Sequence, residues 1–306
     1  MSTGLILNAT LLGLGMHPAA WRYRDGPATA YFDPAFFLEV ARTAEDGLLH
    51  AVFLADTLAV NEENFERPNL GAMDPVTVMA LLAGATRRIG LVGTASTTYN
   101  DPYGLARRFQ TLDHLSAGRA GWNVVTTFVP ATAANFGTAE LPEGARRYAR
   151  AEEFVDVVRA LWLSWQQGAL VGDKVGGQFA RAELAGPIRH QGEFFSVEGP
   201  LTLPRSAQAH PVLFQAGASA AGRELAARAV DMHGQHDHHA LLDPERQIAF
   251  LDEWIGEECS AAKCRMKEAY DRWAELENRL RHAGASARDR AQRLDLLRYQ
   301  PDEILE

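Results

Sequence analysis

Ile89-Gly-Leu-Val-Gly-Thr-Ala-Ser-Thr-Thr-Tyr-Asn-Asp-Pro-Tyr-Gly-Leu-Ala-Arg-Arg-Phe-Gln-Thr-Leu-Asp-His-Leu-Ser-Ala-Gly-Arg-Ala-Gly-Trp-Asn-Val-Val-Thr-Thr127 decides the fold class of this chain. It opens on an apolar run, Ile89–Thr94, that does not alternate with polar residues. Such a strand is covered on both faces, as in a parallel sheet. Asp101-Pro102 then starts a helix, with proline suited to the first turn and Leu105, Phe109 and Leu112 on one face. The helix closes near Gly118, and Trp122–Thr127 is strand-like again.

The same unit repeats outward in both directions. Upstream, Leu5–Leu14 is a short apolar run, and Asp33-Pro34 opens a helix with Phe36, Phe37, Val40, Ala41 and Ala44 on one face. Ala51–Ala55 reads as a buried strand, and Asp74-Pro75 caps a helix through Val78, Leu81 and Leu82. Downstream, a long helix is expected over about Arg147–Gln167. Residues 168–210 are rich in Gly and Pro and read as an insertion of loops and short strands. Pro211–Gln215 is a further strand, followed by a helix from about Ser219, and Ala229–Met232 is a candidate sixth strand. Strand–helix alternation fits a (β/α) barrel or an open doubly wound sheet. No G-x-G-x-x-G follows the first strand and no G-x-x-x-x-G-K-[ST] occurs, which tilts the choice toward the barrel.

Composition excludes several classes. The 306 residues are 47% hydrophobic and 23% charged, which is ordinary for a globular protein and not for a disordered chain or a fibre. Cys259 and Cys264 alone make no disulfide framework. No apolar stretch is long enough for a membrane span, and no basic region precedes the first apolar run. A cytoplasmic location is the expectation. The net charge of −9 argues against nucleic-acid binding.

Polar residues gather where the strands end, which in a barrel is the active face. His17 follows the first strand and Asp56 the second. Thr94-Ala-Ser-Thr-Thr-Tyr99 ends the third, Asn123 and Thr126-Thr127 the fourth, and Gln215-Ala-Gly-Ala-Ser219 the last clear one. Ser219 at a helix start is either an N-cap or part of a phosphate site, because free amides and the helix dipole converge there. Asp56 is either a turn residue or an acceptor for a ligand hydroxyl or ring N–H.

These residues carry a resemblance. Phe53-Leu-Ala-Asp56, Thr94–Tyr99 with Pro102-Tyr103, and Leu115–Thr127 are similar to the bacterial luciferase-like flavin monooxygenases, in the nitrilotriacetate and dibenzothiophene-sulfone monooxygenase branch. Arg147-Tyr148 with Ala151-Glu-Glu-Phe154, Leu161–Trp165, His190–Phe195 and Gln215–Ser219 extend it over about residues 1–229. The resemblance implies a (β/α)8 TIM-type barrel that takes reduced FMN from a separate flavin reductase and uses O2 to oxygenate a small organic substrate. It further implies that Asp56, Thr98 and Asn123 contact the flavin ring, that Tyr148 holds the phosphate or ribityl chain, and that Ser219 holds the phosphate. His17 lies where the family places a polar residue over the flavin's reactive face, where an imidazole could move a proton; its other reading is a loop histidine before Pro18. Where the family commonly has His-Asp before the Arg-Tyr pair, this chain has Gly144-Ala145, so a flavin-contacting imidazole is missing.

The chain changes character after Val230. Of the last 76 residues 28 are charged, against 41 of the first 230. The stretches Val230–Asp252 and Arg293–Ile304 resemble the SMC-like double-strand-break repair ATPase RecN, in which Gln235 would be the nucleotide-sensing residue. The P-loop is absent, so ATP hydrolysis is not expected. Ala262, Met266, Ala269, Trp273, Leu276, Leu280 and Ala283 step by alternating fours and threes, which is either a short coiled-coil seam or one amphipathic surface helix. His233, His236, His238 and His239 lack a completing set of ligands, and no metal is expected.

The whole therefore reads as an incomplete (β/α)8 barrel with an insertion, residues 1–229, followed by a helical coiled-coil-like tail, residues 230–306. Two functions follow. One is an FMN-dependent monooxygenase subunit; the other is a catalytically inactive chimera whose tail mediates self-association into a homo-oligomer.

Overall fold

The computed structural model describes residues 6–15, 17, 19–60, 73–216 and 220–229, with helical positions at 268, 271–273, 275, 276 and 279. Two units are distinguished, Met1–Met232 and His233–Glu306. No helix among the described residues is long and apolar enough to cross a membrane.

In the first unit, β1 (Asn8–Leu11) leads through the short α1 (Ala20–Tyr23) to α2 (Pro34–Asp46) and β2 (Ala51–Leu54). Then come α3 (Pro75–Ala83), β3 (Gly90–Ser96), α4 (Pro102–Leu115), β4 (Ala120–Val125), the short α5 (Thr132–Asn135) and α6 (Gly144–Leu163). The insertion holds two small hairpins, β5 (Leu170–Asp173) with β6 (Gln178–Ala180), and β7 (His190–Gln191) with β8 (Ser196–Val197). β9 (Val212–Phe214) and α7 (Ala220–Ala229) follow.

The three Asp-Pro pairs start helices as their chemistry dictates. Asp33 accepts from the amide of Ala35 at 2.9 Å, Asp74 from Thr77 at 2.8 Å and Asp101 from Gly104 at 2.6 Å. Each carboxylate satisfies an amide the helix leaves open, and each proline occupies a position whose N–H would have had no partner.

Two boundaries differ from expectation. The long helix starts at Gly144 and ends at Leu163 rather than spanning Arg147–Gln167, because Pro142 blocks earlier helix and Trp165 leaves it to bridge Ala185. Ala229 closes α7 instead of opening a sixth strand; the run Ala-Ala-Gly-Arg-Glu-Leu-Ala-Ala-Arg-Ala is mostly strong helix formers. Residues 230–232 lie outside the described residues.

The sheet order is β1-β2-β3-β4-β9, all parallel. Successive strands are neighbours throughout, so the sheet never reverses direction. A doubly wound sheet must reverse, and right-handed crossovers that all run one way put every helix on one face. The opposite face then corresponds to the inner face of a barrel wall. Five strands are described, and a closed barrel takes eight.

Trp122 marks the helix side. It is wholly buried, with its ring centroid 5.9 Å from Phe109, 5.9 Å from Phe154 and 6.1 Å from Trp162, and its indole N–H donates to Ala95 O at 3.0 Å. Strand residues alternate, so Gly121 and Asn123 face the interior. A Cβ on Gly121 would sit 2.8 Å from Phe214 Cε2 and 3.1 Å from Val92 Cγ2. Phe214 and Val92 therefore fill the lower interior, and the polar layer of Thr94 and Asn123 lies above it.

Three buried or part-buried ionic side chains pin the amino-terminal rim. The wholly buried Asp113 carboxyl accepts from the Ala120 amide at 3.0 Å, from Gln208 Nε2 at 2.5 Å and from the Ser206 hydroxyl. Arg119 donates to the carbonyls of Ser116 and Ile89, each at 2.7 Å, and of Ala83 and Thr86, each at 3.1 Å. Glu45 accepts from the amides of Arg87, Arg88 and Ile89. Burial works against its charge, but those bonds and the Arg88 cation hold its pKa at about 2.

In the second unit, Glu268, Asp271, Arg272, Trp273, Glu275, Leu276 and Arg279 are helical and exposed. Of the expected seam only Trp273 and Leu276 fall among them. The remaining seam positions, the histidine cluster with Gln235, and the Arg293–Ile304 stretch lie outside the described residues.

Candidate functional site

The interior polar layer begins with one pair. Asn123 Nδ2 donates to Thr94 Oγ1 at 3.0 Å, and each residue is only 4% exposed. The other end of the same amide, Asn123 Oδ1, is buried and has no hydrogen-bond partner among the described residues. A buried acceptor left open is costly, so it marks a place where a donor is expected.

Above this pair, short polar side chains lock the ends of β3 and β4. The Ser96 and Thr127 hydroxyls lie 2.6 Å apart, and the Thr98 amide donates to Ser96 Oγ at 3.0 Å. Thr98 Oγ1 accepts from the Thr127 amide at 3.1 Å, which leaves its own proton to give. Asn100 donates through Nδ2 to Ser96 O at 2.8 Å and accepts from Arg108 at 2.5 Å.

Asp56 follows β2 by two residues and is half-buried. Carried past the last pairs, the strand register sets it level with Ala95, Val124 and Gln215. Gln215 Oε1 is a second buried acceptor without a partner among the described residues. Burial, and then the negative charge of Asp74, push the Asp56 pKa from 3.8 up to about 6, against a Thr57 amide bond and the Arg108 cation. The folded protein therefore keeps this proton where the unfolded chain has lost it. That contribution to stability is complete below about pH 4 and disappears as the pH rises through about 6. The difference in thermal midpoint between the native chain and Asp56→Asn is expected to shift in favour of the variant across that window. A difference that stays constant from about pH 4 to 7 would place the carboxyl at its ordinary value.

The other expected residues lie as follows. His17 is exposed in the loop after β1, with Nδ1 accepting from the Ala19 amide at 3.1 Å. Tyr148 lies in the second turn of α6, half-buried against the core. Ser219 lies outside the described residues. Asn123 thus pairs with Thr94 and Thr98 with Thr127 at successive levels along β3 and β4, and Asp56 feels the charge of Arg108, which bonds Asn100. Gln215 and Arg108 enter as further members. Gln215 stands in the strand-end pattern, whereas Arg108 sits on a helix with no local signal.

This arrangement has two open acceptors at the carboxyl end of the strands, a hydroxyl with a proton to donate, and a carboxyl that exchanges its proton near pH 6. It suits a flat polar heterocycle carrying both ring N–H and carbonyl groups.

The sequence profile of the luciferase-like monooxygenase family matches residues 15–258. The chain is 45% identical over 227 residues to N-acetyl-S-(2-succino)cysteine monooxygenase of Bacillus subtilis (strain 168), covering 74% of this chain and 51% of that protein. It is 44% identical over 229 residues to nitrilotriacetate monooxygenase component A of Aminobacter aminovorans, covering 71% and 51%. Among solved structures, riboflavin lyase with modified FMN and riboflavin superposes with a TM-score of 0.66 at 35% identity, over 72% of this chain and 51% of that one. The chain thus spans about half the length of the curated relatives it matches.

Proposed function

Because the chain belongs to the luciferase-like monooxygenase family, we propose that it is the oxygenating component of a two-component enzyme. It takes reduced FMN from a separate flavin reductase and uses O2 to oxygenate a small organic substrate. The observation that carries this reading is the open Asn123 Oδ1 beneath a mouth of hydroxyls.

The residues fit the flavin. Asn123 Oδ1 and Gln215 Oε1 would accept from ring N–H groups, and the Thr98 hydroxyl would donate to a ring carbonyl. Tyr148 would hold the ribityl chain or phosphate, and Ser219 the phosphate. Reduced FMN, when bound, supplies the electrons that activate O2. Asp56 would hold or release a proton at its carboxyl oxygen, and a carboxyl poised near neutrality suits that task. His17 would stand over the open side of the site and move a proton at its imidazole. The riboflavin lyase structure with its modified FMN supports a flavin on this fold, and the name "component A" supports a divided enzyme. Gly144 and Ala145, the first two residues of α6, bring no imidazole to the flavin.

Titration of the purified chain with FMN, followed by flavin fluorescence quenching, tests this. Saturable binding is expected, weakened about tenfold by Asp56→Ala, the scale of one hydrogen bond involving a charged group. No uptake at high micromolar FMN would overturn the proposal and leave the self-associating chimera.

A further inference from the structure

A second cleft opens beside the candidate flavin site and shares Thr98 with it. It has a volume of about 480 Å³ and lies between residues 98–100 and the first turns of α6. Three cations line it, Arg146, Arg147 and Arg150, and among the described residues no carboxylate does. In a chain of net charge −9 that concentration of positive charge is a local exception.

The side chains are held in place. The Arg146 guanidinium lies over the Phe194 ring at 5.4 Å, and that of Arg150 over Phe195 at 4.6 Å. Arg150 also donates to the carbonyls of Thr97 and Asn100. Glu153, one turn on, is occupied: it accepts from His190 Nε2 at 2.9 Å and from the amides of Phe194 at 3.0 Å and Phe195 at 2.9 Å. Those bonds dock the β7–β8 hairpin on α6 and set the aromatic wall of the cleft.

Two donors in the cleft lack partners. Tyr99 OH and Arg147 Nε are buried with no hydrogen-bond partner among the described residues. The Tyr99 ring is stacked on Phe136 at 4.3 Å, which fixes where its hydroxyl points. The first turn of α6 adds to the imbalance. It carries no acidic residue, and Glu143 at the N-cap makes no side-chain bond to it. Cations at a helix N-terminus oppose the helix dipole, and an arriving anion relieves both.

We propose that this cleft is the substrate's anion subsite, and that the substrate oxygenated next door is a small molecule bearing a carboxylate. The planar guanidinium of Arg146 and the open Arg147 Nε suit a carboxylate's paired oxygens. Tyr99 OH supplies a third donor. The substrate assignment rests on the monooxygenase reading; the anion site stands on the cleft itself.

Phosphate of the flavin has the same oxyanion chemistry, so the experiment separates the two. Calorimetry on the full, flavin-free chain uses tricarballylate and its uncharged triamide as probes, and fluorescence titration compares FMN with riboflavin. Tricarballylate is expected to bind and the triamide not to. Arg146→Gln is expected to weaken tricarballylate at least tenfold, and Tyr99→Phe several-fold with no loss of thermal stability, while FMN affinity changes less than twofold. Equal binding of probe and triamide overturns the proposal. So does an Arg146→Gln variant that keeps tricarballylate but drops FMN toward riboflavin affinity, since the cleft then holds phosphate. Tricarballylate binding without FMN binding would retain the anion site and reject the flavin reading instead.

Discussion

Asp113→Ala is expected to lower the free energy of unfolding by about 3–5 kcal/mol, measured from the urea midpoint at unchanged slope. The carboxyl is wholly buried and is the common acceptor for the Ala120 amide, Gln208 Nε2 and the Ser206 hydroxyl. Truncation leaves three donors facing a small void, and each buried donor without a partner costs about 1–3 kcal/mol. The loss would be a large fraction of the roughly 5–15 kcal/mol that holds a domain folded. Asp113→Asn keeps the shape and one acceptor oxygen, so its loss should be smaller. An Asp113→Ala loss below about 1 kcal/mol would mean that water replaces all three bonds.

Asn123→Leu is expected to move stability and binding apart. Leucine keeps the branched four-atom skeleton of asparagine and removes the buried acceptor that has no partner. The Thr94 hydroxyl loses one donor but keeps its rotatable proton. Thermal stability should therefore hold or rise slightly. FMN affinity should fall about 10–100-fold, because the ligand's N–H would then be buried against a methyl group, at about 1.4 kcal/mol per tenfold. Equal losses in both measurements would make Asn123 a structural residue.

What the sequence shows and what it hides divide by the range of the interaction. Asp33, Asp74 and Asp101 are readable as caps because cap chemistry is settled within three residues. The apolar runs of β2, β3 and β4 are readable because burial on both faces leaves an uninterrupted pattern. Thr98 and Asn123 are identified from their strand-end positions, but that one oxygen of Asn123 lacks a partner depends on how β3, β4 and β9 are set side by side. The start of α6 is hidden because Glu143 makes no capping bond to announce it. The contact of His190 with Glu153 spans 37 positions and that of Gln208 with Asp113 spans 95. No local pattern encodes either.

The amino-terminal rim and the mouth lie at opposite ends of the same strands. Ala120, held by Asp113, and Val125, beside the hydroxyl lattice, are the two ends of β4. At about 3.3 Å per residue they are roughly 16 Å apart, beyond the range at which substitutions usually interact. Lesions at the two ends should therefore add rather than compound. A lineage built on this plan can redraw what its mouth accepts while the rim keeps the chain folded, so ligand preference can diverge without each step first having to restore stability.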